Sequence, residues 1–285
     1  MPPQPAPRSL GRVFNEVAED YDRHRPTYPD VLVDRACEGI GPGAAVLEIG
    51  CGTGQLTRSL LARGLRVTAV EPGQQLLARA RDRCNGVGDV QFVNARLEDA
   101  SLPSAQYSAV FSASAIHWID PEVSWRKAAD ALVDGGSLAL LSYFGLDDPR
   151  SADDQRALRA AVTTIAPELP GLPTYHDLDD ILAGVAARRE NVSEVWAWLG
   201  SYEIARGYAA DLFDDAQVLA VPMQLEHTAD EINALLGTMS FWATLSPQQR
   251  DALLAENQAL HQQLGRPIRS SAVACVVVAR RRPRT

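Results

Sequence analysis

The chain has 285 residues and a mass of 30.9 kDa, with 46% hydrophobic and 22% charged residues. These proportions are ordinary for a folded protein and exclude a disordered or fibrous chain. The formal net charge is -9 and the pI is about 5.1. Such a surface repels phosphate backbones, so we expect no nucleic-acid partner.

Several features bear on location and partners. No apolar stretch approaches the ~20 residues of a membrane helix, and the start, MPPQPAPRSL, lacks the apolar centre of a signal peptide. The four cysteines, Cys37, Cys51, Cys84 and Cys275, have no metal or disulfide spacing and are interpreted as free thiols. We therefore expect a cytoplasmic protein without a membrane partner, either a monomer or a homodimer.

The predicted elements begin after a flexible arm at residues 1–10. Residues 11–41 have a helical pattern that HRPTYPD interrupts, and from Ala44 apolar runs alternate with helical stretches. Five strands are predicted, at AAVLEIG, RVTAVE, VQFVNA, YSAVFSAS and SLALLSYF. The helices between them are LTRSLLAR, QQLLARARDRC and PEVSWRKAADALV, the last opened by Pro121 and closed by Gly135 and Gly136. This alternation is typical of parallel sheets with crossover helices.

The alternation stops after Phe144. Residues 146–215 are helix-like and irregular, and AQVLAVPMQLEHT then predicts a strand. Helices follow at DEINALLGTMSFWA and SPQQRDALLAENQALHQQL, and SSAVACVVVARR predicts the final strand. The fold class is therefore α/β: a Rossmann-like, doubly wound, mostly parallel sheet with a helical cap inserted after strand 5. The expected segments are a core at 11–145, a cap at 146–215 and closing strands at 216–285.

The arginine run at residues 280–284 allows two interpretations. It could form a phosphate or lipid patch, or it could be a solvated tail, which we favour.

The main chemical signal is VLEIGCGTG at residues 46–54, where a strand leads into a Gly50-x-Gly52-x-Gly54 turn and then a helix. Glycines there allow the backbone to approach a ligand closely. About twenty residues later Glu71 ends the second strand, where a carboxylate can accept both hydroxyls of a ribose. The spacing differs from the G-x-G-x-x-G of dinucleotide sites, and the neighbouring Glu48 favours a cationic ligand over a phosphate.

Four segments together, LEIGCGTG, VEPGQQLL, VNARLED and SASAIHWID, resemble those of the class I S-adenosylmethionine (SAM)-dependent methyltransferases. FNEVAEDYDRHRPTYP and AIHWIDPE are further similar to the trans-aconitate methyltransferase-like group of small-molecule enzymes. The resemblance covers residues 11–145 and implies a seven-stranded sheet. It also implies SAM as cofactor, S-adenosylhomocysteine (SAH) as product, a small-molecule acceptor and an N-terminal segment that closes over the cofactor.

The resemblance assigns cofactor contacts residue by residue. Those toward the methionine portion are Tyr21, Arg25, Glu48, Gly50, Cys51, Gly52, Ser112 and Ala113. Those toward the ribose and adenine are Glu71, Pro72, Ala95, Arg96, Leu97 and Glu98. Cys51 could also be read as a nucleophile, but no base lies near it in sequence, so we interpret it as a small residue that faces the ligand.

His117 follows the fourth strand, and three roles are open for it: general base, hydrogen-bond anchor for the acceptor, or packing. Five residues in or near aromatic segments are expected to face the acceptor: Trp118, Tyr143, Met239, Phe241 and Trp242. An aromatic cap favours a hydrophobic acceptor, such as a natural product, and a carboxylic acid remains open. The methylated atom could be oxygen, nitrogen or carbon. No His, Asp and Glu spacing indicates a metal site.

Alternative functions also remain. A SAM-dependent enzyme could catalyse a reaction other than methyl transfer, such as a cyclisation, or the chain could be a non-catalytic SAM-binding protein. A nicotinamide dehydrogenase is disfavoured by the glycine spacing.

Overall fold

The computed structural model describes residues 19, 22–23, 26–169, 172–202 and 206–284. The chain divides into two compact units. The sheet unit contains residues 27–144, 179–221 and 274–285, and the cap unit contains residues 1–26, 145–178 and 222–273.

Seven strands form one sheet, in the order β3-β2-β1-β4-β5-β7-β6. Their bounds are β1 Ala45–Ile49, β2 Arg66–Val70, β3 Val90–Val93, β4 Tyr107–Ala113, β5 Leu132–Gly145, β6 Phe213–His227 and β7 Ile268–Arg281. The pairs β1–β2, β1–β4, β2–β3 and β4–β5 are parallel, and Val46 of β1 lies opposite Val67 on one side and Ala109 on the other. The predicted Rossmann-like α/β fold with seven strands is confirmed.

Of the helices in the described ranges, six lie wholly or mostly in the sheet unit. They are α1 Asp30–Ala36, α2 Gln55–Ala62, α3 Gln74–Cys84, α4 Pro121–Ala131, α6 Leu178–Ala186 and α7 Val192–Gly200. Most residues of β1 and β4 are buried, and Leu138 to Leu141 of β5 have no exposed surface. Such runs are typical of a sheet that is covered on both faces.

The boundary between α4 and β5 differs from the prediction. The helix ends at Ala131, before the two glycines, because the buried Leu132 already pairs with Tyr107 of β4. The register shifts between Tyr107 and Ala109 at this point, and Gly135 has a φ of +72°. Gly135 and Gly136 therefore belong to an irregularity inside the strand and do not end the helix.

The cap unit contains α5 Ala152–Ile165, α8 Ala229–Gly237 and α9 Pro247–Leu264, with parts of β6 and β7. Its core cluster of Ala166, Leu245 and Leu253 forms where α9 packs on α5. This packing places residues 222–273 with the segment 145–178, whereas the sequence analysis assigned residues 216–285 to the closing strands. The predicted helix DEINALLGTMSFWA is also divided, since α8 ends at Gly237 and a 3₁₀ turn occupies Ser240–Thr244.

The C-terminal arginines are used structurally, which corrects both interpretations of that run. In the sheet unit, Nε of the buried Arg281 donates to the Ala129 carbonyl at 2.9 Å, and Arg284 donates to the Asp130 carbonyl at 2.7 Å. Both carbonyls lie in the last turn of α4, where helix carbonyls lack partners and cations are favoured. Arg282 pairs with Asp214 at 2.7 Å.

Within the described ranges, none of the helices combines the length and the apolar character needed to cross a membrane.

Candidate cofactor and acceptor site

The glycine turn after β1 is formed by residues with positive φ, at +72° for Gly50, +55° for Gly52 and +80° for Gly54. A Cβ on Gly50 would lie 2.3 Å from that of Ala115, and one on Gly54 would lie 3.0 Å from Ala80 in α3. A Cβ on Gly52 would meet no atom within 4 Å. Packing therefore requires two of the glycines, and only Gly52 borders open space. The cofactor contacts expected for Gly50 and Gly52 stay predictions.

Glu71 connects the ends of β1 and β2. Its Oε2 accepts a hydrogen bond from the Gly52 N–H at 3.1 Å, and its Oε1 accepts one from the Gly73 N–H at 2.8 Å. Burial raises the pKa of this carboxyl, and the two backbone hydrogen bonds oppose the rise. Each carboxylate oxygen can accept more than one hydrogen bond, so capacity for ribose hydroxyls remains.

Asn94 supports Glu71, and the sequence analysis missed this role. Its amide donates to the Glu71 carbonyl at 2.9 Å and to the Pro72 carbonyl at 3.1 Å. These bonds hold the turn in which Glu71 and Pro72 lie. The available signal was a polar residue directly after β3, at the edge where parallel strands end.

Glu48 lies inside β1 with no exposed surface. The Thr57 hydroxyl donates to its Oε2 at 2.6 Å, whereas its Oε1 has no hydrogen-bond partner among the described residues. Burial raises the pKa of Glu48 to about 7. A buried polar atom without a partner costs about 1–3 kcal/mol, and more when it is charged, so this oxygen favours a ligand that donates to it.

Cys51 is buried beside this carboxylate. Burial raises the pKa of its thiol well above the usual value, and the Glu48 and Glu71 carboxylates raise it further. A thiol in this environment is a poor nucleophile. The position therefore supports the interpretation of Cys51 as a small neutral residue.

The end of β4 differs from the expectation for Ser112. Its buried hydroxyl donates to the Ile49 carbonyl at 3.0 Å, so it connects β4 to β1. The next residue, Ala113, is only partly buried. Ser114, which the sequence analysis did not single out, has a φ of +51° and places its hydroxyl 2.9 Å from the Tyr28 hydroxyl and 3.0 Å from that of Ser142.

Tyr143 holds the segment that precedes α1. Its ring stacks on Tyr28 with centroids 5.1 Å apart, and its hydroxyl donates to the Thr27 carbonyl at 2.5 Å. Burial raises the pKa of Tyr143 to about 12. The residues expected from the N-terminal segment, Tyr21 and Arg25, lie outside the described residues.

The turn expected to hold adenine, Ala95 to Glu98, is fixed from two sides. Arg96 donates to the Glu98 carboxylate at 2.7 Å, and the Lys127 ammonium donates to the carbonyls of Leu97 and Glu98 at 2.7 and 2.8 Å. Burial raises the pKa of Glu98, but hydrogen bonds, first that from Arg96, outweigh it and lower the pKa overall. Lys127 is a further positioning residue that sequence reasoning missed.

His117 lies in a 3₁₀ turn, Ile116–Trp118, two residues after Ala115, the residue packed on Gly50. Its ring contacts those of Trp118, Trp196 and Tyr202, and Phe144 contacts Trp196. The His117 ring stacks on Tyr202 with centroids 4.0 Å apart and an angle of 8°. Burial lowers the pKa of His117 to about 3.

The remaining expected acceptor residues belong to the cap unit. Phe241 and Trp242 pack against the core cluster of that unit, and Met239 precedes the same 3₁₀ turn. Their role toward an acceptor stays a prediction. Within the described part of the chain, no group of three or more His, Cys, Asp and Glu side chains is placed to hold a metal ion.

The fold and this strand-end geometry define the class of the domain. Residues 47–140 match the family model described as methyltransferase domain. This range of the chain includes the glycine turn, Glu71 and the 3₁₀ turn of His117. The resemblance to the class I SAM-dependent methyltransferases is thereby confirmed for this part of the chain.

Individual relatives agree with this assignment. An uncharacterised methyltransferase of Mycobacterium tuberculosis is 34% identical over 136 residues, which are 47% of this chain and 53% of that protein. The chain thus spans about half the length of the curated relatives it matches.

Two solved structures share the fold. A SAM-dependent methyltransferase from Geobacter sulfurreducens in complex with SAH has a TM-score of 0.52 and 15% identity, covering 93% of this chain and 97% of that one. The (4+2)-cyclase SpnF has a TM-score of 0.51 and 15% identity, covering 100% and 99%.

Proposed function

We propose that the protein is an enzyme that transfers the methyl group of SAM to a small-molecule acceptor. The observation that carries the proposal is the unpartnered Oε1 of the buried Glu48, on the strand that leads into the open turn at Gly52. A buried carboxylate oxygen of this kind suits a cationic amino group and is unfavourable beside a phosphate.

The chain offers a position for each part of that cofactor. Glu48 would accept from the amino group of the methionine portion, Glu71 would accept from the ribose hydroxyls, and Gly52 leaves room for the nucleoside. Pro72 and the turn from Ala95 to Glu98 would flank the ribose and adenine. Ala113 would contribute to the methionine end, and the roles of Tyr21 and Arg25, which lie outside the described residues, stay predictions from the sequence.

When bound, SAM supplies an activated methyl group on a positively charged sulfur. The protein therefore needs to hold the acceptor about 3 Å from the methyl carbon, in line with the carbon–sulfur bond, and to exclude water. The residues of the sheet unit proposed to contact the acceptor are His117, Trp118 and Tyr143, and for Met239, Phe241 and Trp242 of the cap unit an acceptor role stays a prediction from the sequence. Tyr143 also connects the Thr27–Tyr28 segment to the end of β5.

The finer points of context are proposals as well. The net charge of -9 supports an acceptor other than a nucleic acid. Four free cysteines support a reducing, cytoplasmic location. We further propose a biosynthetic role and a monomer or homodimer.

Calorimetry with SAM and SAH, followed by mass spectrometry of acceptor mixtures incubated with SAM, tests the proposal. We expect heat of binding with both compounds and products 14 Da heavier than an acceptor. SAM consumption without such a product would indicate a reaction like cyclisation, and binding without any turnover would indicate a non-catalytic protein. No binding of either compound would overturn the proposal.

A further inference from the structure

A cavity of about 290 Å³ lies in the sheet unit, beside the first two turns of α4. It is lined by Pro121, Glu122 and Arg126 of α4 and by Tyr208 and Leu212, which precede β6. None of these five residues is among those proposed to contact the cofactor or the acceptor. The cavity is therefore a separate candidate site, and the class of its ligand follows from its own lining.

Both walls of this cavity are anchored. On one wall, Trp125 fixes α4 to the rest of the sheet unit with 2% of its surface exposed. On the other wall, the Tyr208 N–H donates to the buried Ser193 hydroxyl at 3.2 Å, and the Leu212 carbonyl accepts from the Arg282 N–H at 3.1 Å. A cavity between anchored elements is formed before a ligand arrives, as is usual for small-molecule sites.

Two opposite charges line this cavity without pairing. Glu122 and Arg126 stand about one helical turn apart on α4, and both are exposed. A glutamate and an arginine at this spacing can form an ion pair. Among the described residues, however, neither side chain has a hydrogen bond or an ion pair. The carboxylate and the guanidinium are thus both available to a ligand.

The remaining lining residues provide apolar surface. Pro121 is buried, Leu212 is half-buried, and Tyr208 keeps 39% of its surface exposed although its backbone is held by Ser193. An aromatic ring in this position offers a large contact area to an apolar side chain. The cavity therefore combines two charges on α4 with an apolar surface that includes the opposite wall.

We propose that this cavity binds a free α-amino acid with an apolar or aromatic side chain. The ammonium group would pair with Glu122, the carboxylate with Arg126, and the side chain would lie against Tyr208. An α-amino acid carries both charged groups on one carbon, so both can reach the same helix while the side chain points to the other wall. Small-ligand pockets measure about 300–1,000 Å³, and a cavity at the lower end of this range suits a single amino acid.

The same lining disfavours other classes of ligand. An anion would bring its charge near the Glu122 carboxylate, and a cation would bring its charge near the Arg126 guanidinium, so each would meet repulsion. A neutral apolar molecule would displace water from both charged groups and give neither a partner, which is costly. A zwitterion satisfies both groups at once.

The test uses the full chain labelled with ¹⁵N-tyrosine, which gives one backbone amide signal for each of the seven tyrosines. Tyr208→Phe identifies the signal of Tyr208. Saturating SAH is present, so that an added amino acid does not occupy the proposed cofactor site. The chain is titrated with L-phenylalanine, with N-acetyl-L-phenylalanine, which lacks the ammonium group, and with phenethylamine, which lacks the carboxylate. We expect L-phenylalanine to shift the Tyr208 signal and to bind at least about fivefold more tightly than either analogue.

Variants then assign the two charges. In Arg126→Gln, L-phenylalanine should bind no more tightly than phenethylamine, and in Glu122→Gln it should bind no more tightly than N-acetyl-L-phenylalanine. Arg156→Gln, which removes an exposed arginine paired with Asp153 in the cap unit, should leave the preference for L-phenylalanine unchanged.

Two results with the unaltered chain would overturn the inference. They are a Tyr208 signal that does not move up to the solubility limit of L-phenylalanine, and an analogue that binds as tightly as L-phenylalanine. The inference does not rest on the proposed methyl transfer. A chain that fails to bind SAH but shows the L-phenylalanine preference and its loss in both variants would support the amino-acid site and reject the proposed function.

Discussion

The Glu71 carboxylate accepts a hydrogen bond from the Gly52 backbone N–H at 3.1 Å, so the acidic residue that ends β2 is connected to the open position of the glycine turn after β1. The two features that carried the sequence argument thus form one structural unit.

Replacing Glu71 tests its double role. Glu71→Ala removes the acceptor of the Gly52 and Gly73 N–H groups together with the proposed ribose contact. We expect SAH affinity, measured by calorimetry, to fall at least 30-fold, about 2 kcal/mol, as for lost hydrogen bonds to a charged group. Glu226→Ala, which removes a carboxylate from an exposed ion pair with Arg269, is the control. Undiminished SAH binding by the Glu71 variant would contradict the site.

The Glu48 carboxyl makes stability depend on pH. Its folded-state pKa of about 7 exceeds the ordinary value of 4.5, so the folded protein binds the proton more tightly than the unfolded chain. Stability from this group is therefore complete below about pH 4.5 and is lost as the pH rises through 7. Glu48→Gln has no proton to lose at this position. As the pH rises over that range, the free energy of unfolding of the variant should therefore increase relative to that of the wild type by up to about 3 kcal/mol.

Urea unfolding of both proteins at pH 5 and pH 8 measures this difference. The glutamine should weaken SAH binding at pH 8 although it stabilises the free protein, because it cannot supply a negative charge to an amino group. Parallel pH dependence in the two proteins would show that Glu48 ionises as it does in water.

Ser114 combines a left-handed backbone with a hydroxyl that contacts Tyr28 and Ser142. Ser114→Ala loses the hydroxyl and keeps the unfavourable φ, whereas Ser114→Gly loses the hydroxyl and adopts positive φ at no steric cost. We expect the glycine variant to be more stable than the alanine variant by about 1 kcal/mol in urea unfolding. Tyr28→Phe removes the hydroxyl that contacts Ser114 without changing the backbone of residue 114. A more stable alanine variant would argue against strain at this position.

Cys51 provides a test of the role of its thiol. Since burial and two carboxylates raise its pKa, the thiolate is scarce at pH 8 and alkylation by iodoacetamide should be slow. Cys51→Ala should keep at least half of the SAM-dependent turnover, because a small neutral side chain is retained. Mass spectrometry of alkylated peptides and a turnover assay measure the two effects. Rapid labelling of Cys51, or loss of turnover in the variant, would restore the interpretation as a nucleophile.

The elements from β1 to β4 followed closely from the sequence, because their apolar runs and glycine ends are local signals. The helix QQLLARARDRC matches α3 residue by residue. The predicted boundaries were wrong where contacts between residues distant in sequence set the limits of an element. Leu132 joined β5 because it pairs with Tyr107, and residues 222–273 joined the cap unit because α9 packs on α5.

The sequence by itself determined the fold class, the glycine turn and the acidic residue of β2, since each depends on residues close together along the chain. Only the tertiary structure showed that Gly52 borders open space whereas Gly50 and Gly54 are close to other residues. It also showed that Asn94 and Lys127 donate hydrogen bonds to the turns at Glu71 and Glu98. The contact of Trp196 with His117 likewise depends on the tertiary structure. The physical reason is that these roles depend on which distant atoms share a small, buried volume. That proximity arises when strands and helices pack, and local sequence patterns do not record it.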